Sequence, residues 1–504
     1  MEQNNPVSQP WQSGQVAPPR APLLPPMFPA GRKELWFAGL IFLCGMAMAN
    51  FVLYGGLNLG FAVALVACIC VSVGYLVASG RKLRAYPGAL LALSVVIAAG
   101  FVRSNDGFVK FMMVCFLLLA VNLGLCLLSG QARWDAAGVC SLLEAPRVFF
   151  GFSLWKMPES VRGLVTAFKN SGSVGKKTSA VLLGLVIAVP LLIVVIFLLI
   201  SADAAFAGLV EKLPSFDFPQ LVGTVLLGTG AACLFYARAV ALLHTKKENA
   251  PATGRKGMSK LTVNTVLMAV CAVYLMYMLS QLAYFVGGFA GILPEGYTMA
   301  AYARRGFFEM GWLCAINLLT IALAVGMVEK TGKAPLLTRI LCLFLGVVTL
   351  FFVVAASAKM GMYIGSYGLT RLRVLTEVIM VFLGLATATV CFWLFVPKLP
   401  YMKVVVLLAL IMGAAVIWAD VDTVVASYNV RAYQSGQLEM VDVEYLTTLS
   451  AGAVPYIAEL AEAGDRTAME FMQEYTAEDY WDGNAYDLRS WNWTDWLAGM
   501  ALKR

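Results

Sequence analysis

Eleven stretches of this chain stay apolar over 17–25 residues, and little else constrains its fold as much. About 20 apolar residues are what a helix needs to cross the hydrocarbon core of a bilayer. Inside that core the backbone must satisfy its own hydrogen bonds, so such stretches are helical. The runs fall at 35–54, 57–79, 86–102, 107–128, 179–201, 220–243, 261–285, 307–328, 339–357, 373–396 and 403–419. Composition agrees: 60% of the residues are hydrophobic and 13% charged, against about 45–50% and 25% in soluble domains. The expected fold class is all-α, a polytopic transmembrane bundle of about 11 spans.

Loop charge gives the orientation, because cytoplasmic loops are enriched in Lys and Arg. With the N-terminus inside, segments 1–34, 80–85, 129–178, 244–260, 329–339 and 397–403 carry 23 basic residues, and the outer loops carry 7. The expectation is therefore a multi-pass cell-membrane protein with a cytoplasmic N-terminus and an extracytoplasmic C-terminus. Residues 1–34 are polar and proline-rich and read as a disordered tail without the apolar core of a signal peptide. Residues 35–419 form the bundle. Residues 420–504 carry 15 acidic and 5 basic residues and read as a small extracytoplasmic cap of three or four short helices. It ends in Trp481, Tyr486, Trp491, Trp493 and Trp496, aromatics suited to the headgroup level or to packing against the outer loops. The basic loop 129–178 is partly amphipathic (Trp134, Leu142, Leu143, Phe149, Phe150, Trp155) and could lie along the inner leaflet on anionic lipid.

Several kinds of chemistry find no support. With one histidine, His244, in the chain, Ser/His/Asp catalysis and histidine metal sites are poorly served. Cysteines lie almost wholly in the spans, with no C-x-x-C pair, and read as small apolar residues. Gly172 to Thr178 mimics a phosphate loop but has the wrong spacing and precedes a span. The net charge of +8 reports orientation rather than nucleic-acid binding. No cofactor and no metal site can be assigned, and protein partners are not identified. Span residues Asn50, Asn122 and Asn264 read as interhelical hydrogen-bonding groups.

Two clusters stand out, both at outer span mouths. One holds Tyr302, Arg304, Arg305 and Glu309; the other holds Tyr363, Tyr367, Thr370, Arg371, Arg373 and Glu377. Arg305–Glu309 and Arg373–Glu377 are spaced i,i+4, which places each pair on one helix face. Glu377 falls about a turn inside its span, where a carboxylate needs a partner or water. These pairs either lock helix ends and dock the acidic tail, or form a basic, aromatic vestibule for an anionic or headgroup-like ligand.

Tyr302 to Glu309 (Y-A-R-R-G-F-F-E) and Tyr363 to Arg373 (Y-I-G-S-Y-G-L-T-R-L-R) resemble blocks of a family of bacterial membrane proteins, domain of unknown function 4173, related to 4153. Tyr428-Asn429 with Arg431, then Asp442, Tyr445-Leu446 and Leu449-Ser450, and finally Asp487 to Asn492, resemble three further blocks in order. Ala451 to Pro455 departs from the pattern by losing a carboxylate. The resemblance implies an integral membrane protein of the bacterial plasma membrane and supplies no activity. Three functions remain: solute or lipid handling through the outer Arg/Tyr/Glu vestibule, a sensory or scaffold role, and a membrane enzyme using Glu309 and Glu377.

Overall fold

A computed structural model describes residues 28, 30–130, 157–170, 218–244, 258–289, 307–327, 335–474 and 489–502, with single positions at 195, 199 and 202. Ten described helices are long and apolar enough to cross a membrane. They are α1 (Arg32–Gly55), α2 (Leu59–Ala78), α3 (Ala85–Ala99, extended by a 3₁₀ turn to Val102), α4 (Gly107–Ser129), α6 (Phe218–His244), α7 (Lys260–Phe289), α8 (Phe307–Met327), α9 (Leu336–Tyr367), α10 (Arg371–Phe395) and α11 (Tyr401–Ala419). An all-α polytopic bundle is thus the fold. The remaining expected span, 179–201, lies outside the described residues, as does most of the leader.

The ends of the helices follow local chemistry. Asp106 opens α4 by accepting a hydrogen bond from the Val109 amide at 2.8 Å, an N-cap that satisfies an orphan donor. Gly130 closes the same helix at φ 74°, a conformation natural to glycine. α9 is the largest departure from the hydropathy pattern. It runs 32 residues, about 48 Å at 1.5 Å per residue, where the apolar run ends at 357. Lys359, Gly361 and Gly365 read as loop in sequence but continue the helix to Tyr367.

The spans form two groups. Helices α1, α2, α3, α4 and α6 pack together, with Phe37, Cys68, Leu76, Leu125 and Tyr236 in their core. Helices α7, α8, α9 and α10 form the second group around Leu267, Ile321, Leu345, Phe352 and Met380. α11 joins them: Leu410, Ala414 and Ile417 enter the core of α2–α4, while its other side meets α10. Polar side chains tie spans together inside each group. The Thr338 hydroxyl donates to Asn264 at 2.6 Å, and Asn317 takes a 2.8 Å bond from the Tyr274 hydroxyl and donates to Thr349 at 3.0 Å.

Short contacts identify the two ends of the bundle. At one end Lys33 donates to the Ala78 carbonyl (3.0 Å), Arg81 to the Leu243 carbonyl (3.2 Å) and Tyr86 to the Lys403 carbonyl (3.1 Å). His244 lies there too, 3.7 Å from Glu34 and 6.1 Å from the Phe28 ring. The amphipathic α5 (Met157–Asn170), from the basic loop, packs on α6 and α1 at this end. The amphipathic residues between 131 and 156 lie outside the described residues. Gly130 closes α4 at the Arg81 end, whereas the first turns of α6 pack beside Leu53, near the far end of α1.

The other end carries a helical cap: α12 (Val421–Gln434), α13 (Val443–Thr447), α14 (Val454–Glu462), α15 (Arg466–Glu474) and α16 (Trp493–Leu502). Val430, Leu446, Ile457, Leu460 and Ala498 give it a core of its own. It is sewn to the spans by backbone and side-chain bonds. The Leu59 and Gly60 amides donate to the Trp491 and Arg489 carbonyls at 3.3 Å each, and Asn492 donates to the Phe101 carbonyl at 3.2 Å. Trp491, Trp493 and Trp496 lie ring against ring over this contact.

Candidate functional site

The cap end gathers most of the polar chemistry, and its centre is Arg371, the first residue of α10. α10 starts there because Thr370 caps it, accepting from the Arg373 amide at 3.3 Å. Before it comes Gly368 at φ 72°, whose added methyl group would stand 2.6 Å from Asn429 Oδ1. Asn429 on α12 clamps this turn from both sides, accepting from the Leu369 amide at 2.7 Å and donating to the Leu369 carbonyl at 2.8 Å. The turn thereby aims Arg371 at two carboxylates. Its Nε donates to Asp422 Oδ1 at 2.8 Å and its Nη2 to Asp422 Oδ2; Asp106 Oδ2 lies 3.1 Å away. The Arg371 amide donates to the Tyr445 hydroxyl at 2.8 Å, and the Ser450 amide to Asp422 at 2.9 Å. A two-pronged guanidinium–carboxylate pair of this kind is strong and geometrically specific.

Burial sets the proton chemistry around it. Burial pushes Asp422 up, but hydrogen bonds from Arg371 and Ser450 outweigh it and hold the carboxyl below the usual range. Two residues earlier, Asp420 is 1% exposed and is pushed up by burial, against the pull of bonds from Thr423 and Ser104. Asp420 is also the one described non-glycine residue with a positive φ, 54°, a strained conformation at the joint between α11 and the cap. On the far side Asp495 is pushed up to about 6 by burial, with Lys110 pulling the other way; it accepts from Asn105 at 2.9 Å. The Lys110 ammonium donates to Asn58 at 3.0 Å and to Asn105.

Arg371 separates two hollows. Below it, at the depth of the spans, is a groove of about 310 Å³ between α4, α10 and α11. Phe108, Met112, Phe116, Leu375, Phe382 and Val416 line it, and Arg371 is the sole charged residue among its described lining. Above it, between the α9–α10 turn and the cap, is a polar cleft of about 910 Å³. Tyr367, Thr370, Arg373, Asn429 and Tyr445 line it together with Glu439, Asp442, Glu444 and Asp465.

The residues singled out from sequence divide accordingly. Tyr363, Tyr367, Thr370, Arg371, Arg373 and Asn429 come together at this site. Glu309 is exposed on α8 and exerts its charge on Lys359 of α9. Arg431 is exposed on α12. Tyr302, Arg304 and Arg305 lie outside the described residues. Arg373 and Glu377 form no ion pair among the described residues. Arg373 instead donates to the Tyr367 carbonyl at 3.0 Å and to that of Gly368, and its guanidinium sits 4.1 Å from the centre of the Tyr363 ring. The physical reason is that the last carbonyls of a helix lack intrahelical donors, and Arg373 supplies them. The sign of the cleft also differs from a basic vestibule: its described lining has four carboxylates to one guanidinium. Sequence reasoning passed over Asp106, Asp420, Asp422 and Asp495. The Asp420-Val-Asp422 pair directly after the last apolar run was the available signal.

Three of the motif blocks downstream of residue 360 meet here, through Arg371, Asn429, and Tyr445 with Ser450. The family model described as domain of unknown function (DUF4153) matches residues 88–460. The chain belongs to the DUF4153 family. This is the family to which the 4173 family, whose blocks the sequence resembles, is related, and the match places the chain in 4153 itself. No curated protein and no solved structure is significantly similar. In this DUF4153 protein the matched region contains the Arg371 site and ends inside α14, leaving out α16. Among the described residues no group of three or more His, Cys, Asp or Glu is placed to hold a metal.

Proposed function

We propose that this integral membrane protein handles a membrane lipid at the cap end of its bundle, with an acyl chain in the groove and the headgroup beside Arg371. The cap end faces the cell exterior in this reading, because the opposite end collects the Lys- and Arg-rich segments. One observation carries the proposal. A long apolar groove at span depth ends at a charged, hydrogen-bonded cluster, which is the shape and polarity of a lipid rather than of a soluble solute. The sensory and enzymatic alternatives have no comparable support. Glu309 and Glu377, the proposed acid–base pair, sit on different helices, α8 and α10, and neither is among the described lining of the groove or the cleft.

The test is native mass spectrometry of the purified protein with its co-purifying lipid. Val416→Phe places a ring in the groove from a half-buried position and should leave the helices folded. The expected result is loss of one bound lipid per chain. An unchanged lipid complement in a folded V416F protein would overturn the proposal.

A further inference from the structure

Resting on that lipid reading, we infer that the bound lipid carries an ammonium headgroup, and that the site selects against anionic headgroups. Three features lead there. At the groove mouth Arg371 faces two carboxylates: Asp422 takes its Nε and Nη2, and Asp106 stands 3.1 Å from the same Nη2. Arg371 and its two carboxylates sum to one negative charge, and a phosphate approaching Arg371 without a compensating cation meets the Asp106 carboxylate, a like-charge contact. Directly above, the cleft is lined by Glu439, Asp442, Glu444 and Asp465. The one cation in its described lining, Arg373, is already committed to the carbonyls of Tyr367 and Gly368 and to the Tyr363 ring. Finally, groove and cleft are adjacent: Arg371 lines the first and Thr370, the preceding residue, lines the second. Consecutive Cα atoms are about 3.8 Å apart, so a headgroup at the groove mouth lies at the floor of the cleft. Tyr367, 53% exposed on the cleft wall, adds an aromatic face of the kind that favours ammonium groups.

The groove itself has room for about ten groups of water size, which is a stretch of one acyl chain. The described charges thus divide the site by chemistry: an apolar slot for the chain, a guanidinium–carboxylate cluster at its mouth, and an acidic chamber for a positively charged headgroup.

The experiment uses the full-length protein in nanodiscs containing a photoactivatable lipid. Two probes share the same diazirine-bearing chain; one has an ethanolamine headgroup and the other a glycerol headgroup. Labelled peptides are then mapped. The expected result is labelling concentrated on α4, α10 and α11, with the ethanolamine probe favoured roughly fivefold, the scale of one partly screened charge contact. The Glu439→Gln/Glu444→Gln double variant should keep the labelled positions and lose most of that preference. Equal labelling by both probes, or preference for the glycerol probe, overturns the headgroup inference while leaving a lipid in the groove. Labelling spread over all lipid-facing helices and insensitive to Val416→Phe overturns the lipid reading itself.

Discussion

The Arg371–Asp422 pair offers the sharpest test of how the cap is held to the spans. The side chain of Asp422 is 3% exposed and that of Arg371 30%. Removing one partner of a buried pair strands the other charge and typically costs 3–5 kcal/mol. Arg371 keeps some solvent, so Arg371→Met should cost about 3 kcal/mol, near the lower end of that range. Asp422→Leu should cost less, about 2 kcal/mol, because Arg371 retains Asp106 at 3.1 Å as a partner. The double variant Arg371→Met/Asp422→Leu replaces the pair by apolar groups of similar size and strands neither charge. Its cost should fall at least about 2 kcal/mol below the sum of the singles, since such replacements are often close to neutral. Unfolding in mixed micelles of rising SDS fraction, followed by tryptophan fluorescence, gives all four corners of the cycle. Additivity within about 0.5 kcal/mol would refute the reasoning, because it would mean that the two groups do not depend on each other for their burial.

Two further outcomes follow from the same contacts. Gly368→Ala forces a methyl group into a left-handed turn and against Asn429 Oδ1 at 2.6 Å; strain plus the weakened Asn429 clamp should cost about 3 kcal/mol, and an Asn429→Ala background should reduce that cost, as measured by the same unfolding assay. Asp495 is raised from the usual 3.8 to about 6, so the folded protein holds this proton more tightly than the unfolded chain. Its contribution is therefore fully present below pH 3.8 and is lost as pH rises through about 6, a swing of at most about 3 kcal/mol. Asp495→Asn should remove that part of the pH dependence between pH 4 and 7; a stability difference from the parent that is flat across the window would show that Asp495 is not buried against Lys110 as described.

How much of this was legible in the sequence depends on the range of the interaction. Spans are local: a run of 20 apolar residues has one stable answer in lipid, and the ten described helices begin and end within a few residues of the apolar runs, α9 excepted. α9 outlasts its run because helical hydrogen bonds do not require apolar side chains once the helix leaves the hydrocarbon. The site is non-local. Arg371 and Asp422 are 51 residues apart, and Asn105 and Asp495 are 390 apart, so no spacing rule connects them. The i,i+4 rule pointed at Arg373 and Glu377, but it assumes both residues lie inside a regular helix. At a first turn the orphan carbonyls of the preceding helix compete for the guanidinium, and at Arg373 they win.

The position of α11, which packs on helices of both groups, has a bearing on biosynthesis. Synthesis runs from the N-terminus, and the earlier parts of a chain begin to fold first. The two groups can each assemble as they emerge. The groove cannot: α4 and α10 supply walls, but the floor is α11, and Arg371 acquires Asp422 only when α12 follows. A ribosome-bound chain halted before residue 400 would thus carry nearly all the spans and no completed groove. On the proposed lipid reading, occupancy of the site is a mark of the finished molecule, which a quality-control protease could read as protection of the cap from cleavage.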